Sequence, residues 1–141
     1  MAFGSHPPPI QPHLCVAGGV EAIAFYEAAF DARCTFVQMA EDGVRVLHAN
    51  LALFGGEVML HDEFADYGDA MRGPIALGGA SVAININLSD PGAVDAACAR
   101  AVTAGATVII APADMFWGAR HARVRDPFGH VWAFNAALDP H

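Results

Sequence analysis

The sequence predicts an α+β fold built from two tandem β-α-β-β-β modules, and three observations carry that prediction. The chain has 141 residues, 55% of them hydrophobic, which is about one domain's worth and enough to bury a core. It repeats itself at an offset of 74 residues: Gly18-Gly19-Val20-Glu21-Ala22 answers to Gly92-Ala93-Val94-Asp95-Ala96. The same offset pairs Leu14 with Leu88, Ala32 with Ala106, Phe36 with Ile110, Gly55 with Gly129 and Val58 with Trp132. One such pair is chance; a shared offset along the whole module is a duplication, and a duplication fixes the architecture. Finally, strand-like and helix-like patterns follow one another in the same order in both halves.

In the first half, Pro12 to Ala17 alternates briefly and reads as a strand. A helix follows from Gly19 to Phe30, with Val20, Ile23, Tyr26 or Glu27, and Phe30 near one face. Arg33 to Met39 is β-branched and aromatic, hence a second strand. Glu41-Asp42-Gly43 carries the Asp-Gly turn signature, and Arg45 to Leu53 is the third strand. Phe54-Gly55-Gly56-Glu57 turns into a fourth strand, Val58 to His61. In the second half, Ser81 to Leu88 is a strand, and Asp90-Pro91 opens a helix as an N-cap followed by Pro at the first helical position. That helix ends near Ala104-Gly105. Thr107 to Ala111 is strand, Pro112 to Gly118 a loop, and Ala119 to Arg125 and His130 to Ala136 are strands joined by the Asp126-Pro127-Phe128-Gly129 turn. The expected organisation is a flexible lead-in (1–10), a first module (11–62), a linker (63–79) that is acidic and poorly periodic, a second module (80–136) and a tail (137–141).

Charge excludes several function classes. The chain carries 7 basic and 15 acidic residues, for a net charge of −8, and every basic residue is Arg. The absence of Lys removes Schiff-base chemistry and a P-loop lysine. An acidic chain lacks the basic footprint that nucleic acids and anionic membranes require, so neither is expected as a partner. No apolar run is long enough to span a bilayer. Met1 to Pro9 has neither a basic n-region nor an apolar h-region, so a secretory leader is not expected. Cys15, Cys34 and Cys98 are odd in number, widely spaced and without a Cys-x-x-Cys, which reads as reduced thiols in a cytoplasmic protein. The acidity belongs to the first module. The second holds as many Arg as acids, with Arg120, Arg123 and Arg125 clustered.

Several segments resemble the vicinal oxygen chelate superfamily, which includes glyoxalase I, bleomycin-resistance proteins and extradiol dioxygenases, and in particular its PhnB-like branch. They are Gln11-Pro12-His13-Leu14, Ala22-Ile23-Ala24-Phe25-Tyr26, His48-Ala49-Asn50-Leu51 and Met59-Leu60-His61-Asp62. The most specific are Phe116-Trp117-Gly118-Ala119-Arg120 and Asp126-Pro127-Phe128-Gly129-His130-Val131-Trp132. Ala122 departs from the pattern, since relatives often carry Gly there. The resemblance implies a glyoxalase-like fold of facing half-barrels around a cavity, and a homodimer.

The resemblance also implies where a metal would be held: by His, Gln or Glu on the first and fourth strands of each module, because a cation chelating two substrate oxygens needs imidazole and carboxylate ligands with open positions. Carried over by motif spacing, these positions fall on Gln11, Met59, Asn85 or Ala83, and Ala133. Only Gln11 is a plausible ligand. No cofactor is therefore expected. The alternative is a divalent metal (Zn, Ni, Mn or Fe) held by Gln11, His61 and His48, with His130 as a further donor. His13 is read as helix-facing or at a rim, and His6 and His141 as unimportant. For a small-molecule ligand, the lining residues are read as Trp117 and Trp132 for stacking, Arg120 for a carboxylate or carbonyl, and Asn85, His48 and Gln11 as polar contacts. Trp132 has core packing as its alternative. No Ser-His-Asp order or nucleophile elbow is present. The expected function is binding of a small organic molecule between modules without the usual metal, as resistance proteins do. The alternative is a metal-dependent lyase, isomerase or dioxygenase.

Overall fold

The computed structural model describes residues 7–138, so His6 and His141, with most of the expected tail and part of the lead-in, lie outside the described residues. The chain divides into two compact units, Met1–Gly79 and Ala80–His141.

The first unit runs β1 (His13–Val16), α1 (Gly19–Phe30), β2 (Arg33–Met39), β3 (Val46–Leu53) and β4 (Gly56–Asp62). A short 3-10 turn (Ala65–Tyr67) and α2 (Pro74–Leu77) follow. The second unit runs β5 (Ala83–Asn87), α3 (Pro91–Ala104), β6 (Thr107–Asp114), β7 (Ala119–Arg125) and β8 (Val131–Ala137). Each unit is one four-stranded mixed sheet, ordered β1-β4-β3-β2 and β5-β8-β7-β6. In both, the first strand joins the fourth in parallel and the other pairs are antiparallel. Identical order and polarity in two sheets is the structural form of the 74-residue repeat.

The expected elements are present with shifted ends. β6 continues to Asp114, through residues read as loop. Residues 63–79, read as linker, hold two short helical turns tied to the first unit. The Arg45 guanidinium bonds Asp66 Oδ1 at 2.8 Å, Asp42 Oδ2 at 2.7 Å and the Glu63 carbonyl at 3.1 Å, and it lies 4.5 Å from the centre of the Phe64 ring. Glu63 Oε2 accepts from the Gly73 N–H at 2.8 Å.

The buried face of α1 is Ala22, Phe25, Tyr26, Ala29 and Phe30, not the Val20–Ile23 face, and Val20 is half exposed. Gly19 sets that rotation. A Cβ there would lie 2.6 Å from Asp62 Oδ2 and 2.7 Å from Val46 Cβ, so the helix start must press directly on the sheet. Asp62, 4% exposed, makes that contact favourable. Its carboxylate accepts from the N–H groups of Gly18 (2.7 Å), Gly19 (3.0 Å) and Val46 (2.8 Å). A negative group at a helix N-terminus satisfies otherwise orphaned donors and complements the helix dipole.

In the second unit, Asp90 caps α3 by accepting from the Ala93 N–H at 3.0 Å. Asp126, 2% exposed, holds the β7–β8 turn by accepting from the N–H groups of Phe128 (2.9 Å) and His130 (3.0 Å), and from Trp132 Nε1 (2.9 Å).

Gly19→Ala should lower unfolding free energy by about 3 kcal/mol, because the overpacked contacts are the branched Val46 side chain at its Cβ and a carboxylate pinned by backbone N–H groups rather than a flexible tip. Gly79→Ala, where an added Cβ meets open space, should stay within about 0.5 kcal/mol. Urea denaturation of the two variants checks this, and equal effects would contradict the role of the close approach.

Candidate functional site

Each sheet has one face against its helix. In the first unit, the face bearing Asp62, Leu60 and Val58 meets α1, so strand alternation sends His61, Met59 and Glu57 to the opposite face. The register gathers more polar groups there: His13 is opposite Met59, Met59 opposite Asn50, and Gln38 opposite His48. A bulge at Leu47, where Gln38–His48 is followed by Met39–Val46, returns Val46 to the helix side while leaving His48 on the open face.

These side chains form a connected set. The Gln11 amide donates to Glu57 Oε1, which also accepts from Asn50 Nδ2 at 3.0 Å. Asn50 Oδ1 lies 2.7 Å from His48 Nε2. The Asn50 amide is oriented by its Glu57 bond, so His48 Nε2 carries the donated proton, and Nδ1 holds the lone pair in the neutral ring. His61 Nδ1 donates to the Asp62 carbonyl at 2.7 Å, leaving its lone pair on Nε2. The His13 ring lies edge to face with both, its centre 4.7 Å from that of His61 and 5.6 Å from that of His48. Part of His13 stays open to solvent. Even so, withdrawal of its ring from water, then the neighbouring His61 and His48, hold its pKa below the usual 6.5, with Asp69 opposing weakly. Cys15, opposite His61 in register, is buried, and its thiol is pushed up to about 11, first by burial and then by Glu63, Asp69 and Asp62. It is not a nucleophile at neutral pH.

The second unit repeats this layout with different chemistry. Arg120 bonds Asp95 of α3, which marks its side of β7 as the helix side, and His121 and Arg123 therefore take the open face. Asn85 is opposite Ala133, Ala133 opposite Arg123, and Asn135 opposite both Asn87 and His121. A bonded row runs along the face. His121 Nδ1 donates to Asn135 Oδ1 at 2.7 Å, the Asn135 amide donates to Asn85 Oδ1, and Asn85 Nδ2 donates to Asn87 Oδ1 at 3.0 Å. The Trp117 ring stands 5.6 Å from the His121 ring. Met59 and Ala133 are repeat partners, so their cross-strand neighbours His13 and Asn85 are equivalent, and likewise His61 with Asn135 and His48 with His121. The first strand is thus offset by 72 residues instead of 74. That settles the sequence alternative of Asn85 or Ala83 for the position matching Gln11 in favour of Ala83.

The predicted residues divide accordingly. Gln11, His48 and His61 come together on the first open face, and Asn85 and Trp117 on the second. Arg120 does not join them: its guanidinium is held by Asp95 (3.0 Å) and Asp114 (2.8 Å). Trp132 has zero exposure and shares the helix side through its pairing with Val124, so it packs the core and cannot stack on a ligand at the open face. His13 is not helix-facing. His130 lies at the β7–β8 turn of the second unit. Asn50, Glu57, His121 and Asn135 are absent from the expected lining, and Arg123 figures only within the Arg cluster, although alternation with the core residues of β3, β4, β7 and β8 places each on the face opposite its helix. An open groove of about 700 Å³ beside Asp31–Arg33 and the β3–β4 turn is separate from the imidazole group.

The metal-ligand positions implied by the resemblance do not fit a metal. The Gln11 amide is taken by Glu57, Met59 offers only a thioether, and Ala83 and Ala133 offer no donor. Among the described residues, no group of three or more His, Cys, Asp or Glu is arranged to hold a metal ion. No helix there is long and apolar enough to cross a membrane.

A profile of the Glyoxalase/Bleomycin resistance protein/Dioxygenase superfamily matches residues 11–134. An uncharacterized protein of Mycobacterium bovis is 42% identical over 129 residues, covering 91% of this chain and 82% of its own. The crystal structure of TioX from Micromonospora sp. ML1 is similar at 30% identity and TM-score 0.71, covering 96% of this chain and 100% of TioX. A PhnB protein from Bacillus cereus shares the fold at 17% identity and TM-score 0.70, covering 92% of this chain and 100% of its own.

In metal-free buffer, the His13 ring should titrate below 6.5 by NMR, and His61→Asn should move it back up. The unfolded chain binds this proton first. The associated stability is therefore complete above about pH 6.5 and declines as pH falls below it. A His13 pKa at or above 6.5 would contradict the crowding of the three rings.

Proposed function

Because the chain belongs to the glyoxalase/bleomycin resistance protein/dioxygenase superfamily, we propose that it binds a small organic molecule on the open, polar sheet faces of its modules, without the metal site usual in chelating relatives. One observation carries this reading: in both modules the face opposite the helix is lined by imidazoles and side-chain amides, while the positions matching the family's metal ligands offer one engaged amide, one thioether and two methyl groups. Fixed polar groups on a rigid sheet with an adjacent aromatic ring are the equipment of a recognition surface. The ligand's identity does not follow from the fold.

A metal-dependent lyase, isomerase or dioxygenase is the second reading. It draws on the imidazoles of His13, His48 and His61 on one sheet face, with lone pairs on His48 Nδ1 and His61 Nε2, although no such group among the described residues is arranged to hold a metal ion.

Ligand-observed NMR against a fragment library tests the first reading. Trp117→Ala should weaken the fragments found by about tenfold, the worth of one aromatic contact. Arg120→Ala should leave them unchanged and instead reduce stability slightly, as its partners are surface acids. Loss of binding in Arg120→Ala but not Trp117→Ala would contradict the assignment. Titration of the chelator-treated protein with Zn, Ni, Mn and Fe separates the readings: tight stoichiometric binding abolished by His61→Ala would establish the second.

A further inference from the structure

Resting on the binding reading above, we propose that the second module's open face is an anion-recognising subsite that takes a planar, aromatic carboxylate, with Arg123 as its counter-ion and His121 as an adjoining hydrogen-bond acceptor. Two buried polar atoms motivate this. Arg123 Nε and His121 Nε2 are both shielded from water, and neither has a hydrogen-bond partner. They sit two residues apart on β7, hence on one face. Buried polar groups are nearly always satisfied, and a buried charged donor left alone is costly, so two adjacent orphans describe a place that a bound molecule completes.

The charge inventory of the module identifies the missing partner as an anion. Asp90 caps α3. Asp95 and Asp114 are both spent on Arg120. Asp126 is occupied by two backbone N–H groups and Trp132 Nε1. No acid among the described residues pairs with Arg123. Arg125, on the same strand, is exposed and solvated, so its lack of a partner costs nothing.

The neighbours refine the ligand class. The His121 proton is on Nδ1, donated to Asn135 Oδ1, so Nε2 of the neutral ring accepts. A carboxylate accepting from Arg123 Nε–H, next to a hydroxyl or N–H donating to His121 Nε2, would satisfy both atoms at once. Trp117, 53% exposed and edge-on to His121, offers a flat apolar surface beside them, which suits an aromatic ring.

The test compares 3-hydroxybenzoate with 3-hydroxybenzamide, and a naphthoate with its amide, by calorimetry on the whole protein. Each pair differs in charge at nearly constant shape. The acids should bind at least tenfold more tightly than the amides, Arg123→Gln should remove that preference, and Arg100→Gln, an equal change in net charge at an exposed position on α3, should preserve it. Acids and amides binding alike would overturn the anion subsite while leaving small-molecule binding intact. So would Arg100→Gln costing as much as Arg123→Gln, since the effect would then be bulk charge. Failure of both acids and amides, while unrelated fragments bind, would likewise overturn the subsite alone. The wild-type comparison needs no variant, so misfolding of Arg123→Gln cannot mask the result.

Discussion

The Asp62 carboxylate is the contact on which the first module depends. It ends β4, lies almost wholly out of water, and accepts from the amide groups that begin α1 and β3. A buried carboxylate is tolerable only when its lone pairs are filled, and here backbone donors fill them. The arrangement fixes three elements to one point and forces glycine at position 19. It also determines where function can reside. With Asp62 committed to the helix side, the next residue along the strand, His61, must face the other way. The polar face is thus the geometric complement of the anchored core.

The duplication preserved this division of labour and changed the chemistry. The positions occupied by His13, His61 and His48 in the first sheet are occupied by Asn85, Asn135 and His121 in the second. Three imidazoles crowd one another, and the crowding helps hold His13 below its usual pKa; in the second sheet one imidazole and two amides form a bonded row that leaves His121 Nε2 without a partner. The same backbone therefore presents a titratable face in one module and an anion-suited face in the other. Acidity follows the same split, concentrating in the first module while the second keeps Arg123 without an internal partner.

Much of the fold was legible because it rests on local rules. The repeat, the Asp90-Pro91 cap and the period-two strands each predict an element, and each is present. What escaped the sequence reading depends on close approach and on register. The α1 face was misjudged because large aliphatics outweighed Ala22 and Ala29, while the demand of Gly19 for direct contact was invisible without Asp62 beside it. Arg120 looked like a ligand contact because nothing in the sequence places Asp95 of α3 next to it. The lining set was incomplete because bulges at Leu47 and in β6 shift which residues share a face, and strand pairing has no one-dimensional signature. Asn50 in the first sheet, and His121 and Arg123 in the second, are placed on the faces opposite their helices only once the ladders are known.

The central claim is that the sheet faces opposite the helices are the binding surfaces. Chemical-shift mapping of backbone amides, the Trp117 indole and the imidazole rings during titration with a bound fragment tests it most directly. Shifts concentrated on β1, β3, β4, β5, β7 and β8 residues of the open faces, with Trp117 and His121 or His61 among them, are the predicted result. Shifts confined to the groove at Asp31–Arg33 and the β3–β4 turn, or to the outer surfaces of α1 and α3, would contradict it.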